Sequence, residues 1–443
     1  MRTLSAPLLF LAFCFSGLAH AEKPGAASRP NVLLIISDDQ AWGDYGFMGH
    51  RHIQTPHLDK LAAESLTYTR GYVTAPLCRP SLASIFSGKY VHQHGITGND
   101  PMIPKGLPRG RGKPESARFY ETLMDRIDND PGLVHLLGKA GYLSLQTGKW
   151  WEGDPKKRGG FTHAMTHGDP KRGGRHGDEG LRISREGLKP IVDFIAEAGE
   201  KKKPFFIWHA PFLPHSPHNP PARLFNKYKS KTTSPHVARY WAMCDWFDET
   251  CGELLGHLDK KGLRENTIVL YVTDNGWIQS AQSARYALRS KRSPYEGGVR
   301  TPVMIHWPKK VAQRFDEETL VSSIDLAPTI LKACGIEVPK TMPGVDLLDP
   351  AALAKRKAVF GAAYAHDVQD VDHPNLSVQT RYVISGDWKL LTPNKSKPDG
   401  AGIELFNLDT DPHEETNHAE NQPGKVAQLA ALLDAWWPGP AEN

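Results

Sequence analysis

Cysteine is scarce in this chain: only 5 of its 443 residues are cysteine. Cys14 lies near the N-terminus, and the others are Cys78, Cys244, Cys251 and Cys334. So few cysteines in so long a chain exclude a fold held together by a disulfide framework. Cys244 and Cys251 could form a disulfide with each other, but we favour the interpretation that both are core residues of one helix.

A large excess of charge of either sign is missing as well. The formal net charge is +5, and 23% of the residues are charged. This mild excess indicates at most an anionic small substrate, and no basic stripe that would bind nucleic acid stands out. Since 40% of the residues are hydrophobic, a chain of this length can form a large core and a second, smaller unit.

The apolar segment at the N-terminus is too short to cross a bilayer. Arg2 precedes it, and Ala19-His20-Ala21 follows it with the small residues of a cleavage site. This pattern predicts a secretory signal peptide over residues 1–21. We therefore expect a protein that is exported to the periplasm or secreted, without stable membrane insertion.

The rest of the chain alternates strands and helices, which predicts an α/β fold with a mostly parallel central sheet sandwiched by helices. Strands are predicted over residues 31–37, 67–73, 142–147, 203–209, 267–273 and 303–306, and long helices over 55–64 and 236–260. The tail instead predicts a small C-terminal antiparallel sheet plus a helix over residues 426–437. The predicted units are a catalytic domain at 22–345 and a C-terminal subdomain at 346–443.

Hard oxygen ligands follow two of the predicted buried strands. Asp38 and Asp39 follow the first strand, and Asp274 and Asn275 follow a strand much later in the chain. Adjacent carboxylates repel each other unless a cation lies between them, and open α/β sheets bind ligands at these strand ends. The pattern predicts one site for calcium or magnesium. A helix N-cap is the alternative, and it explains one aspartate better than two.

Cys78 is predicted to lie at the N-terminus of a helix. Pro80 suits a first helical turn, and Leu82, Ile85 and Phe86 recur at helical spacing. Free backbone N–H groups and the helix dipole favour an anionic group at such a position. A buried structural cysteine is the alternative, because short motifs often match by chance.

Lys149 follows another predicted strand and precedes Trp150 and Trp151. An ammonium group beside two indoles suits an oxyanion and the C–H face of a sugar. The alternative is a solvated lysine over two core tryptophans. His215 lies in a proline-rich loop, which would present its side chain rigidly.

These segments, taken in order, resemble one family over essentially all of the mature chain. They are Asp38-Asp39, Thr55-Pro56 with Leu58-Asp59, Cys78-x-Pro80-Ser81, Gly148-Lys149-Trp150, Pro214-His215, Asp274-Asn275-Gly276, Glu296-Gly297-Gly298-Val299-Arg300, and Glu404-Leu405-Phe406 with Asp411-Pro412. The family is that of the formylglycine-dependent (type I) sulfatases of the alkaline phosphatase superfamily. Each segment is a weak signal alone, and their common order makes the resemblance strong.

The resemblance implies a nucleophile and a cofactor. During maturation a formylglycine-generating enzyme would oxidise Cys78 to formylglycine, whose hydrated form attacks the sulfur of a sulfate ester. Calcium would be bound by Asp38, Asp39, Asp274, Asn275 and the converted Cys78. The asparagine also bears on the reaction class, because the two-zinc phosphatases of the superfamily have a histidine at that position.

The resemblance also implies roles for residues around the ester. Lys149 and Lys291 would bind the sulfate group, and His215 would protonate the leaving alcohol or hold the ester. Trp151 and Arg79 are the predicted substrate-binding residues. The expected substrate is a sulfated carbohydrate, and nucleic acid is not an expected partner.

Two positions depart from the family pattern. Leu82 stands where the family usually has arginine, and Trp151 stands where it usually has histidine. Arg79 precedes Leu82, but its position around a helix differs, so it cannot simply substitute for the missing arginine. Two alternative functions therefore stay open: a phosphoester or phosphonate hydrolase on the same scaffold, and a catalytically silent binder of sulfated glycans.

Overall fold

The computed structural model describes residues 29–129, 131–174, 176–394 and 402–440, so the predicted signal peptide lies outside the described residues. The strands are β1 Asn31–Ser37, β2 Leu66–Tyr72, β3 Asp100–Pro101, β4 Leu143–Gly148, β5 His163–Ala164, β6 Phe205–Ala210, β7 Thr267–Thr273, β8 Arg300–His306, β9 Arg314–Asp316, β10 Val321–Ser322, β11 Val359–Tyr364, β12 Asp367–Val368, β13 Val378–Ser385, β14 Trp388–Pro393 and β15 Glu404–Asn407. The α-helices are α1 Pro56–Ala63, α2 Cys78–Ser87, α3 Val91–His94, α4 Pro114–Asp125, α5 Leu133–Lys139, α6 Lys189–Glu200, α7 Ala222–Tyr228, α8 Pro235–Lys260, α9 Glu296–Val299, α10 Leu326–Ala333, α11 Pro350–Ala354 and α12 Pro423–Trp436.

A nine-stranded sheet organises the described part of the chain. Its strand order is β10-β2-β8-β7-β1-β6-β4-β5, and β9 also pairs with β2. Within this sheet, as far as the structure describes it, β8 alone runs antiparallel to its neighbours. The prediction of a mostly parallel α/β sheet is confirmed.

Helices cover both faces of the sheet, because β1 and its neighbours are apolar on both sides. Leu34 and Ile36 face a core that includes residues of α2, α5 and α10. Leu33 and Ile35 face the opposite core, which includes residues of α1, α6 and α8. Alternate residues of one strand therefore enter different cores, as the two-residue period of a strand requires.

A second, four-stranded antiparallel sheet follows in the order β11-β13-β14-β15. Leu429 and Leu433 of α12 pack against Val383, Leu390 and Leu405 on one of its faces. The predicted C-terminal sheet and helix are therefore confirmed, while the domain boundary at residue 346 stays a prediction. No helix among the described residues combines the length and apolar character needed to cross a bilayer.

The site-bearing loops meet at one edge of the large sheet. The parallel strands β1, β4, β6 and β7 all end at this edge, whereas β8 begins there because it runs the other way. The segment from Gly276 to Ser290 leaves this edge after β7 and folds back on itself through the Gln279–Tyr286 bridge. It returns to the same edge just before α9 and β8.

Candidate active site

The loops after β1 and β7 are joined directly to each other. The Asp274 N–H donates to the Ser37 carbonyl at 2.9 Å, and the Asp39 N–H donates to Asp274 Oδ1 at 3.0 Å. Asn275 Nδ2 donates to Asp39 Oδ1 at 2.7 Å. Asp39 has a φ of 63°, a left-handed conformation that aspartate tolerates better than most residues. The structure thus brings the four predicted oxygen-ligand residues together, since Asp38 adjoins Asp39.

Three buried oxygen atoms of this cluster have no hydrogen-bond partner: Asp38 Oδ2, Asp274 Oδ2 and Asn275 Oδ1. A buried polar atom without a partner is costly, so such atoms call for an ion or a ligand. Burial raises the pKa of Asp38 well above its usual value, and it also raises the pKa of Asp274. A bound cation would favour the charged carboxylates again. The donors are hard oxygens, so this set fits a calcium or magnesium ion.

Cys78 is the first residue of α2, as the sequence predicts, and the preceding Leu77 is extended. Its side chain is only 1% exposed. The Sγ atom lies 3.2 Å from Lys291 Nζ, 3.3 Å from Lys149 Nζ and 4.0 Å from Asp39 Oδ1. Ligand atoms of Asp38, Asp39, Cys78 and His215 all lie within 4.8 Å of one another. The sulfur therefore lies between the carboxylates and the two ammonium groups.

Each lysine is also paired with one carboxylate. Lys149 Nζ lies 2.7 Å from Asp38 Oδ1, and Lys291 Nζ lies 2.6 Å from Asp39 Oδ1. Burial alone would lower the pKa of both lysines, but these carboxylates and the Cys78 sulfur raise it above the usual value. Both ammonium groups are therefore charged, and they are the cations closest to residue 78.

Gly148 determines where Lys149 enters the site. Its φ is 79°, and a Cβ atom at this position would lie 1.8 Å from the carbonyl oxygen of Ala210. That close approach lets the Lys149 N–H donate to the Ala210 carbonyl at 2.7 Å. Only glycine allows the ends of β4 and β6 to come this close with a left-handed backbone.

His215 comes from the loop after β6 and is the most exposed of the predicted catalytic residues. Its Nε2 atom lies 3.3 Å from Asp39 Oδ2, and its Nδ1 atom lies 2.5 Å from the Ser216 carbonyl oxygen. A carbonyl only accepts hydrogen bonds, so Nδ1 carries the proton and Nε2 faces the site. Burial, with Lys149 and Lys291, lowers the pKa of His215 well below its usual value.

The tryptophans of the predicted sugar platform are buried in the structure. Trp150 and Trp151 are 5% and 2% exposed, so neither indole offers a face to a sugar. Trp150 packs edge-on against Phe86, while the Trp151 ring lies 5.2 Å from Lys149 Nζ. This burial favours the core interpretation of the tryptophans, while the substrate-binding role of Trp151 stays a prediction. The Trp150 ring packs on Phe86 of α2, and the Trp151 ring lies edge-on to His176.

The Arg79 side chain is 1% exposed and its donors are used inside the protein, while its substrate-binding role stays a prediction. Nε and Nη2 donate to the two carboxylate oxygens of Glu152 at 2.8 and 2.6 Å. Nη1 donates to the Asn99 carbonyl at 3.1 Å. Sequence reasoning missed Glu152 and Asn99, since their pairing with Arg79 depends on loops that are distant in the chain.

Tyr240 of α8 is a further residue that the sequence reasoning missed. Its hydroxyl lies 2.6 Å from Asp44 Oδ2 and 3.3 Å from the carbonyl oxygens of both Asp39 and Trp277. The Tyr240 side chain thus contacts both the loop after β1 and the loop after β7. A tyrosine inside a long amphipathic helix carries no sequence signal that distinguishes this position from ordinary core.

Comparison with known families agrees with the arrangement of the site. The model of the sulfatase family matches residues 30–336, which is more than half of the chain. A second model, described as N-sulphoglucosamine sulphohydrolase, C-terminal, matches residues 285–435. The first match contains the described catalytic and cation-site residues.

Among characterised relatives, N-acetylgalactosamine-6-sulfatase of Rattus norvegicus is 28% identical over 363 residues, which are 73% of this chain and 66% of that protein. The chain thus spans about two thirds of the length of this relative. Arylsulfatase A of Bos taurus is 29% identical over 408 residues, 80% of this chain and 75% of the relative.

Solved structures show the same fold at lower identity. One is a complex with its substrate D-glucosamine-2-N,6-O-disulfate, at 21% identity and a TM-score of 0.68, covering 92% of this chain and 97% of that chain. Another is the phosphonate monoester hydrolase of Agrobacterium radiobacter, at 19% identity and a TM-score of 0.68, covering 92% and 95%.

Proposed function

The chain belongs to the sulfatase family of sulfuric ester hydrolases, and we propose that it removes sulfate from a carbohydrate ester with a formylglycine derived from Cys78 and a calcium ion. The observation that carries this proposal is the position of the Cys78 side chain. It lies within 3.3 Å of both Lys149 Nζ and Lys291 Nζ, beside buried carboxylates with partnerless oxygens. Such a site can accept an anion next to a nucleophile.

The state of the thiol supports conversion of residue 78. Burial raises the pKa of the Cys78 thiol far above its usual value, although Lys149 and Lys291 oppose the increase. A protonated thiol is a weak nucleophile, because the thiolate is the reactive form. A hydrated formylglycine at this position would instead supply a hydroxyl group that attacks the sulfur of the ester. Conversion would require a formylglycine-generating enzyme as a partner during maturation.

The residues that would hold calcium are Asp38, Asp39, Asp274 and Asn275, with residue 78 as a further ligand. Their hard oxygens, three of them buried and partnerless, support this assignment. When bound, the ion would supply positive charge that lowers the pKa of a nearby hydroxyl and stabilises a sulfate oxygen.

The charges of the site favour a monoanionic ester. With a cation bound, Asp38, Asp39 and Asp274 would carry three negative charges, and Lys149 and Lys291, which contact two of them, would carry two positive ones. A divalent cation leaves one positive charge in excess, which a sulfate ester neutralises. A phosphate monoester is close to dianionic at neutral pH, so it would leave one buried negative charge uncompensated.

The remaining groups can bind the anion and move a proton. Lys149 and Lys291 would shift from their carboxylates to the sulfate oxygens, and each such contact is worth about 3 kcal/mol in the transition state. His215 presents Nε2 to the site while Ser216 fixes its Nδ1 proton. Nε2 would therefore take up the proton that the attacking hydroxyl of residue 78 releases and pass it to the leaving alcohol, or it would hold the ester once it is protonated.

A sulfated carbohydrate is the proposed substrate class, supported by relatives and structural neighbours that are described with sulfated amino sugars. Export to the periplasm or the medium is proposed with it, on the pattern of residues 1–21.

Two measurements on the protein from its native host test the proposal. Peptide mass spectrometry should find formylglycine at residue 78, and matched aryl sulfate, phosphate and phosphonate monoesters should show fastest turnover of the sulfate. A Cys78→Ala variant controls for contaminating activity. Unmodified cysteine at full mass, or faster turnover of the phosphate or phosphonate ester, would overturn the proposal. Tight glycan binding by converted protein without desulfation would indicate a silent binder instead.

A further inference from the structure

We propose that the buried ion pair between Arg79 and Glu152 is a positioning device that fixes the Lys149 ammonium against the side chain of residue 78. Arg79 directly follows Cys78, and Glu152 lies three residues after Lys149. The pair therefore joins the nucleophile segment to the segment that carries one anion-binding lysine. This inference rests on the proposed function in so far as Lys149 and residue 78 act on the same ester.

The geometry of the pair is that of a rigid connection. Both guanidinium donors lie within 2.8 Å of the two Glu152 oxygens, so the contact is bidentate. Bidentate arginine–carboxylate pairs restrict orientation as well as distance. The two side chains are 1% and 5% exposed, so water does not compete with the contact.

Asn99 completes the connection on the side of Arg79. Its Oδ1 atom accepts from the Arg79 backbone N–H at 3.1 Å, and its carbonyl oxygen accepts from Arg79 Nη1 at 3.1 Å. The backbone and the guanidinium of Arg79 are thus both fixed by the same residue. The first turn of α2, which carries Cys78, cannot rotate without breaking these bonds.

The pair also occupies the side of α2 where Leu82 lies. Arg79, Leu82, Lys149 and Glu152 border one enclosed gap of about 10 Å³. Arg79 and Leu82 thus lie beside the same gap, although they are three positions apart in α2.

Lys149 has further restraints: its Nζ atom is paired with Asp38 Oδ1 at 2.7 Å, and two other bonds act on its backbone. Its N–H donates to Ala210 at 2.7 Å, and its carbonyl oxygen accepts from Trp208 Nε1 at 3.3 Å. These two bonds fix the backbone of Lys149, but they do not fix the position of α2 relative to Lys149. Among the described ion pairs, Arg79–Glu152 is the one that ties α2 to the loop after Lys149, beside the edge-on contact of Phe86 with Trp150.

The first test is Glu152→Gln, which keeps the shape of the side chain and lies outside the segment around Cys78 that a maturation enzyme would read. We expect kcat per converted site to fall about tenfold to a hundredfold, the effect of roughly 1 Å of misplacement, with KM changed less than threefold. Conversion of residue 78 is measured by mass spectrometry in every sample. Turnover by the unaltered protein is measured first, so that failure of the proposed function is recognised separately.

A double variant separates positioning from stability. In Arg79→Met with Glu152→Leu, apolar side chains replace the whole pair, which restores most of the stability that a single buried unpaired charge removes. We expect its melting temperature to recover relative to Glu152→Gln while kcat per converted site stays low. The matched control is Arg356→Met, which breaks a bidentate pair with Asp325 that touches neither Cys78 nor Lys149. That control should lose stability and keep kcat.

Crystal structures of the unaltered protein and Glu152→Gln give a readout that needs no activity. We expect the distance from Lys149 Nζ to the residue 78 side chain to increase by about 1 Å. The proposal is overturned if this distance is unchanged, if kcat of Glu152→Gln stays within threefold of the unaltered protein, or if kcat of the double variant recovers together with its stability.

Discussion

The backbone N–H of Asp39 donates a hydrogen bond to Oδ1 of Asp274 at 3.0 Å, although 235 positions separate the two residues in the chain. The bond joins the ends of β1 and β7, which are neighbours in the sheet. It uses one carboxylate oxygen of Asp274 and leaves the other, Oδ2, buried without a partner. One oxygen of the Asp274 side chain thus joins the two loops, and the other remains available to a ligand.

Calcium should stabilise the folded protein, because it would satisfy buried oxygens that otherwise have no partner. At a free calcium concentration of 100 times Kd, the gain in unfolding free energy is about 2.7 kcal/mol. Melting curves with calcium and after treatment with EDTA measure this shift. An unchanged melting temperature and full activity after complete removal of divalent ions would contradict the predicted site.

Asp274→Asn should lower the calcium content and reduce kcat more than a hundredfold, because it removes one of the carboxylate charges that compensate the ion. Metal analysis after dialysis against micromolar calcium gives the stoichiometry. The control is Asp248→Asn, at a buried aspartate that accepts hydrogen bonds from the backbone of α1 outside the site. It should retain calcium, and loss of calcium in both variants would point to a folding defect.

Lys149→Met and Lys291→Met should each reduce kcat/KM about a hundredfold, which corresponds to about 2.7 kcal/mol of lost transition-state stabilisation. Methionine keeps much of the side-chain volume and removes the ammonium group. Inhibition by inorganic sulfate should weaken in both variants. Lys189→Met, at a lysine whose side chain is 82% exposed, should behave like the unaltered protein. Full activity of either site variant would exclude that lysine from anion binding.

Gly148→Ala should destabilise the protein by more than about 3 kcal/mol, because a Cβ 1.8 Å from the Ala210 carbonyl oxygen forces β4 and β6 apart and the left-handed backbone disfavours alanine. Gly199→Ala is the matched control, at a helical glycine of α6 with no atom within 4 Å of the added Cβ. It should stabilise by about 0.5–1 kcal/mol. Urea unfolding measures both, and equal effects would refute the close approach at Gly148.

His94 should make the protein less stable at acidic pH. Burial lowers the pKa of His94 to about 3, while an unfolded histidine titrates near 6.5. Below pH 6.5 the unfolded chain therefore binds a proton that the folded protein does not, and stability falls as the pH drops towards 3. At pH 4.5 this group costs about 2.7 kcal/mol relative to neutral pH.

Urea unfolding of His94→Gln at pH 4.5, 5.5 and 7.5 checks this expectation. The difference in unfolding free energy from the unaltered protein should change by about 1.4 kcal/mol per pH unit below 6.5 and stay constant above it. His373→Gln, at a side chain that is 72% exposed, is the control. A difference that is constant over the whole range would show that His94 has the same pKa in the folded protein as in the unfolded chain.

The main sheet was predictable because buried parallel strands are continuous apolar runs. The strands predicted at 31–37 and 267–273 match β1 and β7 residue for residue, and the strand predicted at 67–73 is displaced by one residue from β2. Parallel strands end at a common edge, so the meeting of Asp39 with Asp274 followed from the fold alone.

Side-chain burial in the loops was not predictable in the same way. Trp151 and Arg79 are both large, and each has a polar group, so the sequence allows them to face either solvent or core. Glu152 decides the orientation of Arg79, and it comes from a loop that is 73 positions away in the chain. Such pairings depend on how two loops pack, and spacing along one sequence does not encode that.

The antiparallel direction of β8 has a consequence for variation in this protein. Because the segment 276–290 departs from and rejoins the same sheet edge, its tip can be lengthened, shortened or exchanged without altering the register of any strand. Leu288, which is 92% exposed, marks the part that no packing constrains. A change confined to this tip should therefore leave Asn275 and Lys291, which flank the segment, where they are.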